Sequence, residues 1–263
     1  MAVLIGTSGW QYRHWKGRLY PARLAQRAWL EHYAARFATV EVNATFYRLP
    51  APSTAQAWAA RVPDDFVFAV KVSRYLTHIR RLRDPGEPVA RFMAVAEALG
   101  PRLGPVLMQL PPNMRADLEA LAATLRCFPS GVRVAVEPRH ETWFTPELYA
   151  LLERHDAALC WADRPRWRPP HVRTAGWGYL RLHEGRATPR PCYGRAALAS
   201  WAGRIAERFG PEDDVFVFTN NDPEGCAVRD ARLLAAPLAR AGLRPTRVPV
   251  PADTPVGPSR RSA

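Results

Sequence analysis

Val40-Glu41-Val42-Asn43-Ala44-Thr45-Phe46-Tyr47-Arg48 is a short β-branched run that passes into an aromatic and basic turn. Residues two apart in a strand share a face, so Glu41 and Asn43 stand on one side and Val40 and Val42 on the other. The same grammar, an apolar run closed by a polar side chain, recurs along the chain. It predicts strands over 2–7, 40–43, 66–71, 105–110, 132–137, 157–163, 178–183 and 214–221. Helical spacing predicts helices over 23–37, 52–61, 87–99, 115–127, 145–155, 195–209 and 226–240. Pro52 and Pro146 suit first-turn positions, and Gly100 sits where a helix C-terminus wants a glycine.

Strands that alternate with helices pair in parallel, and eight is the number that closes a barrel. The expectation is an α/β chain with a single (β/α)8 TIM-barrel-like domain over 1–244. A helix is missing after the sixth strand, where 164–174 is rich in Pro and Arg, and 245–263 reads as a disordered C-terminal tail. An open doubly wound sheet is the alternative, but no GxGxxG follows the first strand.

Counting back by twos from the last polar residue of each strand sorts the side chains. Glu41, Asn43, Ala69, Lys71, Leu107, Gln109, Ala135, Glu137, Trp161, Asp163, Arg181, His183, Phe218 and Asn220 fall on the inward parity. Val40, Val42, Phe68, Val70, Met108, Leu110, Val134, Val136, Cys160, Ala162, Leu180, Leu182 and Val217 fall outward and are apolar throughout. Inward residues turn polar only near the C-terminal ends, where barrel enzymes place their active sites. That pattern points to a ligand pocket at the mouth.

The formal net charge is +13, which favours anionic partners such as phosphates, nucleic acid or acidic surfaces. Arg carries nearly all of it, for Lys16 and Lys71 are the chain's two lysines. An amine retained at Lys71 offers base, nucleophile and clamp chemistry, of which a guanidinium offers only the last. Cys127, Cys160, Cys192 and Cys226 are scattered without a CxxC pair, which argues against a disulfide framework and for a reduced compartment. The chain enters an apolar strand at once, and no apolar run reaches the ~20 residues that span a bilayer. A cytoplasmic protein with no membrane partner is expected.

Glu41, Lys71 and Glu137 are the candidate catalytic residues, the two carboxylates as a paired acid and base or as structural ion pairs. Trp10, Tyr12, Asn43, Tyr47, His78, Gln109, Arg139, His140, Trp143, Asp163, Arg181, His183, Asn220 and Asn221 are the candidate substrate-binding residues. Their amides, cations and rings suit a small anionic or sugar-like ligand. His183 and His140 beside Glu137 and Asp163 could hold a metal, but no HxH or HExxH spacing supports one and no metal is assigned. No cofactor is legible. Two basic segments, 74–83 and 164–173 around Trp167, suit a phosphate backbone or a solvated loop.

Several of these stretches together resemble the YecE-like family, the domain of unknown function 72. They are Gly6-Thr7-Ser8-Gly9-Trp10 with Tyr12 and Trp15, Glu41 to Tyr47, Phe68-Ala69-Val70-Lys71 with Thr77-His78, and Gln109-Leu110-Pro111-Pro112. Glu137-Pro138-Arg139-His140 with Trp143, Tyr179 to Gly185 and Asn220-Asn221-Asp222 complete the set. The resemblance implies a (β/α)8-like barrel and assigns no reaction. The Pro- and Arg-rich sixth loop does not fit its pattern. Three functions are therefore open: an enzyme on a small anionic or sugar-like substrate, a nucleic-acid-binding protein or nuclease, and a non-catalytic binding barrel.

Overall fold

The structure, a computed structural model, describes residues 2–163 and 169–250. The expectations for Arg164, Arg166, Trp167 and Arg168 and for residues 251–263 lie outside the described residues. The strands are β1 Val3–Thr7, β2 Thr39–Val42, β3 Val67–Lys71, β4 Leu103–Gln109, β5 Val134–Glu137, β6 Ala158–Leu159, β7 Trp161–Asp163, β8 Gly178–Leu182 and β9 Val215–Thr219. The helices are α1 Trp29–Ala34, α2 Ala44–Tyr47, α3 Pro52–Ala59, α4 Gly86–Ala96, α5 Leu118–Arg126, α6 Pro146–Arg154, α7 Arg195–Ala206 and α8 Cys226–Arg240. Thr145 caps α6, its hydroxyl accepting from the Leu148 amide at 3.4 Å, so the Thr-Pro start works as its sequence suggests. No helix among the described residues is long and apolar enough to cross a membrane.

All strand pairs are parallel and fall into two sheets, ordered β1-β9-β8-β7 and β2-β3-β4-β5-β6. The expected sixth strand is thus split at Cys160, one half in each sheet. The Cys160 amide still donates to Val136 O at 2.8 Å, so the β5 ladder runs on past the split. On the other side the sheets meet at a single bridge between Ser8 and Glu41. Gly6 allows that approach, because a Cβ there would stand 2.4 Å from Thr39 O. Among the described residues, 169–177 form no helix between β7 and β8, as the prolines there suggest.

Two buried clusters occupy opposite faces of the sheets. One holds Leu4, Ala69, Leu107, Ala135, Tyr179, Phe216 and Phe218. The other, packed under the helices, holds Val40, Val42, Phe68, Val70, Met108, Val134, Val136, Leu180, Leu182 and Val217. This is the expected parity, with one strand reversed. Cys160 and Ala162 join the first cluster and Trp161 the second. The interior beside the Tyr179 and Phe218 rings admits small side chains there. The Trp161 indole instead stacks on His171 at 5.1 Å and donates to Val172 O at 2.9 Å. The count was anchored on Asp163, which faces outward with Trp161.

Two further features depart from expectation. Cys192 and Cys226 form a disulfide across 34 residues, joining the loop after β8 to the start of α8. Spacing along the chain hides this pair because the loop folds back over the helix end. Cys127 and Cys160 are free. The chain also does not leave the fold at residue 245. Thr246 donates its amide to Val3 O at 2.9 Å, and the Arg247 guanidinium meets Asp65 and Ala34 O.

Candidate functional site

The C-terminal ends of the strands bring charged side chains from distant segments into one network. Arg181, on β8, is buried between two carboxylates. Its Nη2 donates to Glu41 Oε1 at 2.8 Å and its Nη1 to Glu137 Oε2 at 2.7 Å. Glu41 also accepts from Ser8 Oγ at 2.7 Å, Asn43 Nδ2 at 3.1 Å and Tyr179 OH at 2.7 Å. Burial alone would push the Glu41 carboxyl up, but Arg181 and the Tyr179 and Ser8 hydroxyls outweigh it and hold the group below the usual carboxylate range. Glu137 accepts from Gln109 Nε2 at 2.7 Å and Arg139 Nε at 3.0 Å. Both carboxylates therefore bind arginines, Glu41 holding Arg181 and Glu137 holding Arg181 and Arg139.

Lys71 is differently placed. Its Nζ donates to Gln109 Oε1 at 2.9 Å and lies 4.0 Å from the Phe46 ring centroid. Among the described residues no carboxylate lies within the 4.0 Å ion-pairing distance of it. Burial first, then the Arg181 charge, lowers its pKa to about 8 against the opposing pull of Glu41 and Glu137. His78 packs edge-on against the Phe46 ring at 4.9 Å and shares a 2.9 Å hydrogen bond with Thr77 Oγ1. Burial, then Lys71 and Arg139, lowers the His78 pKa to about 4, so the ring is neutral at pH 7. A cavity of about 590 Å3 opens over these groups. Tyr12, Asn43, Tyr47, Lys71, His78, Gln109, Arg139, Arg181, His183 and Asn220 line it together with Phe46 and Arg74. Asn220 Nδ2 and His183 Nδ1 lie 2.9 Å apart on its wall, and Tyr47 stands on the rim 71% exposed. The Tyr12 hydroxyl, raised to about 12 by burial and by Asp222 and Glu41, donates to Ser8 O at 2.6 Å and stays protonated.

Five expected site residues turn elsewhere. Trp10 is buried edge-on against Trp58 at 5.5 Å. Trp143 is buried with its indole on Met114 O at 2.8 Å. His140 Nδ1 accepts from the Thr142 amide at 3.3 Å, which starts a short helical turn. Asp163 follows the reversed parity of its strand and accepts from Tyr193 OH at 2.6 Å. Asn221 donates to Asp230 Oδ2 at 2.6 Å and Pro191 O at 3.0 Å beneath the disulfide loop. His183 Nε2 is 3.9 Å from Glu137 Oε1, but no group of three or more His, Cys, Asp or Glu is gathered among the described residues as a metal site.

Sequence reading missed the contributions of Ser8, Phe46, Arg74 and Tyr179. Tyr179 was one step further back on the Arg181 parity. Phe46 rides on α2 and Arg74 caps a π-helical turn over Tyr75–Ile79, elements too short to leave a periodic trace. The basic segments are partly neutralised: Arg80 pairs with Asp84 at 2.5 Å and Arg173 with Asp213 at 2.9 Å.

The family model described as "Protein of unknown function DUF72" matches residues 4–254. UPF0759 protein YecE of Escherichia coli strain K12 is 33% identical over 143 residues, 54% of this chain and 50% of that protein, so this match spans half of YecE. UPF0759 protein YunF of Bacillus subtilis strain 168 is 25% identical across 94% of this chain and 99% of its own length. A crystal structure of a DUF72 family protein from Thermotoga maritima MSB8 superposes with a TM-score of 0.80 and 27% identity, covering 91% of this chain and 100% of that one. A second, from Enterococcus faecalis V583, shares the fold at a TM-score of 0.73 and 19% identity, covering 90% and 95% of the two chains.

Proposed function

The chain belongs to the family described as protein of unknown function DUF72, and from that membership and the site's geometry we propose a (β/α)8-barrel enzyme that acts on a small anionic or sugar-like substrate at its mouth. The Ser8–Glu41 bridge on one side and the β5 ladder carried past Cys160 on the other support reading the two sheets as one barrel. One observation carries the function: a buried amine with no carboxylate partner among the described residues opens onto a cavity also lined by Arg74, Arg139 and Arg181. A lysine kept out of an ion pair among cations has free energy to gain from an anion. Arg181 and Arg139 share Glu41 and Glu137, two cations against two carboxylates, so this network is a preorganised, balanced floor and Lys71 and Arg74 carry the charge left to meet an anion. Lys71, half deprotonated near pH 8, supplies the base, and neutral His78 supplies a nearby proton acceptor. Asn43, Asn220 and His183 offer hydrogen bonds to hydroxyls, and Tyr47 a face for a sugar ring.

Isothermal titration and thermal shift with inorganic phosphate and ribose 5-phosphate test this reading. Saturable binding that stabilises the fold, and that weakens about tenfold or more in Lys71→Met, is expected. The absence of binding to either probe, or affinity unchanged in Lys71→Met, would count against it. Nucleic acid remains the second reading on one observation: Tyr47 and Tyr75 are exposed, 71% and 40%, near Arg74 at the rim. Oligonucleotide binding that falls steeply with salt and needs both tyrosines would favour it over the small substrate.

A further inference from the structure

We infer that Lys71 is a carbonyl-reactive amine, so that the substrate class is an aldehyde or ketone carrying a carboxylate or phosphate, bound as a Schiff base; this rests on the anion-site reading above. An anion clamp needs only charge, and arginine supplies charge everywhere else around the cavity. The geometry at Lys71 suits nucleophilic chemistry instead. Lys71 is 7% exposed and lines the cavity, so a ligand reaches it while bulk water is largely kept away. Its nitrogen lies over the Phe46 ring, and its hydrogen bond runs to an amide oxygen, which does not trap the proton as a carboxylate would.

The groups facing Lys71 come from every neighbouring element: Glu41 from β2, Gln109 from β4, Glu137 and Arg139 from β5 and the segment after it, Arg181 from β8, and Arg74 and His78 from the turn after β3. Burial and the arginines favour the neutral amine, while the two carboxylates oppose them without reaching ion-pair distance. The resulting pKa of about 8 leaves a substantial neutral fraction near pH 7.5. In the reaction the Nζ lone pair forms a bond to the carbonyl carbon and the carbonyl π pair moves onto oxygen. The two amine protons finally leave with that oxygen as water, giving the C=N bond. Arg139 and Arg74 are placed to hold the ligand's anionic group, and His78 to carry a proton between nitrogen and oxygen.

The lysine count makes the test clean, since Lys16 is exposed and serves as an internal control in the same chain. The full chain is incubated with glyoxylate, pyruvate or dihydroxyacetone phosphate and sodium cyanoborohydride, which reduces the imine to a stable secondary amine. Peptide mass mapping then locates the adduct. One lysine adduct per chain, on Lys71, is expected beside any on the α-amino group, forming on the order of a hundredfold faster at pH 7.5 than on a free lysine side chain, with Lys16 left largely unlabelled. Lys16→Arg keeps the reaction. Lys71→Arg, checked as folded by circular dichroism, abolishes it while still binding inorganic phosphate. Equal labelling of the two lysines, or no Lys71 adduct with any of the three compounds, overturns the inference. Phosphate binding without an adduct would leave the anion site standing and remove only the Schiff base. An adduct without phosphate binding would do the reverse.

Discussion

The two ends of the strands each carry a cavity walled by charged residues, and they differ in how those charges are settled. At the N-terminal end the space is the larger, about 750 Å3, and Asp65, Arg133, Asp214 and Arg247 line it. There each cation has its acid, Arg133 on Asp214 at 2.8 Å and Arg247 on Asp65. At the C-terminal end Glu41 and Glu137 hold Arg181 and Arg139, and Lys71 and Arg74 line the smaller cavity with no carboxylate at ion-pairing distance among the described residues. Volume alone would choose the N-terminal end. Unbalanced charge is what asks for a ligand, since paired charges already have theirs.

The sharpest way to break this contrast is to remove its central cation. In Arg181→Met, Glu41 and Glu137 stay buried without their guanidinium, and the fold should lose about 3–5 kcal/mol by urea denaturation near pH 7. Arg133→Met at the other end should lose less than about 1 kcal/mol, because its ion pair is partly open to water. The pH dependence should change sign. In the native chain Glu41 is held below its usual pKa, so its contribution is present above that pKa and is lost as the pH falls through the folded value. Without Arg181, burial raises the Glu41 carboxyl, and stability should improve as the pH drops toward 4. Equal losses in the two variants would erase the distinction between the ends.

How far the sequence foretold this site depends on how each residue is held. Glu41, Lys71, Gln109, Glu137 and Arg181 sit on regular strands, where alternation alone dictates the face, and their convergence was legible. Asp163 was misread because polarity was used to choose the face of a strand whose bulky residue, Trp161, had better packing outside. Trp10, Trp143 and His140 follow strand ends, where loop geometry rather than period decides direction. Their rings found neighbouring chain before any ligand. The roles of Glu41 and Glu137 were open in the sequence because a carboxylate that binds an arginine and one that moves a proton are the same residue type. Distances and burial show which arginines the two carboxylates hold. The Cys192–Cys226 link was illegible because it joins segments brought together by tertiary folding alone.

That link sharpens the contrast next, since it braces the mouth and has no counterpart at the opposite end among the described residues. Closing 34 residues, it should contribute about 2–4 kcal/mol, and Cys192→Ser should lower the denaturation midpoint accordingly. The loop it anchors follows directly from His183 and Glu184, so phosphate affinity should fall with it, while the N-terminal cavity's ion pairs stay intact. Unchanged affinity in a clearly destabilised variant would separate the brace from the site.

Lys71→Met tests the mouth from the opposite direction, through stability gained rather than lost. Because the folded pKa is about 8 and the unfolded value 10.5, the unfolded chain binds more protons between those limits. Wild-type stability from Lys71 should therefore rise with pH through that window, and below it the buried ammonium is a cost. Replacing it with Met should raise stability at pH 7 by about 1–3 kcal/mol and flatten the difference between pH 8 and 10.5. A variant less stable than wild type at pH 7 would mean that Gln109 and Phe46 compensate the amine fully, leaving no stored demand for an anion.

The smallest expected effect belongs to the N-terminal cavity. Arg133→Gln with Arg247→Gln removes both of its cations and leaves Asp214 and Asp65 facing solvent, where water can take over their charge. Stability should change by less than about 1 kcal/mol for each, because Asp65 is 62% exposed and Arg133 39%. Phosphate titrations should superpose on those of wild type, since among the described residues the two cavities share no lining residue. A loss of phosphate affinity comparable to that of Lys71→Met would show that the balanced end also binds anions, and charge pairing would then no longer distinguish a ligand site from a structural one in this fold.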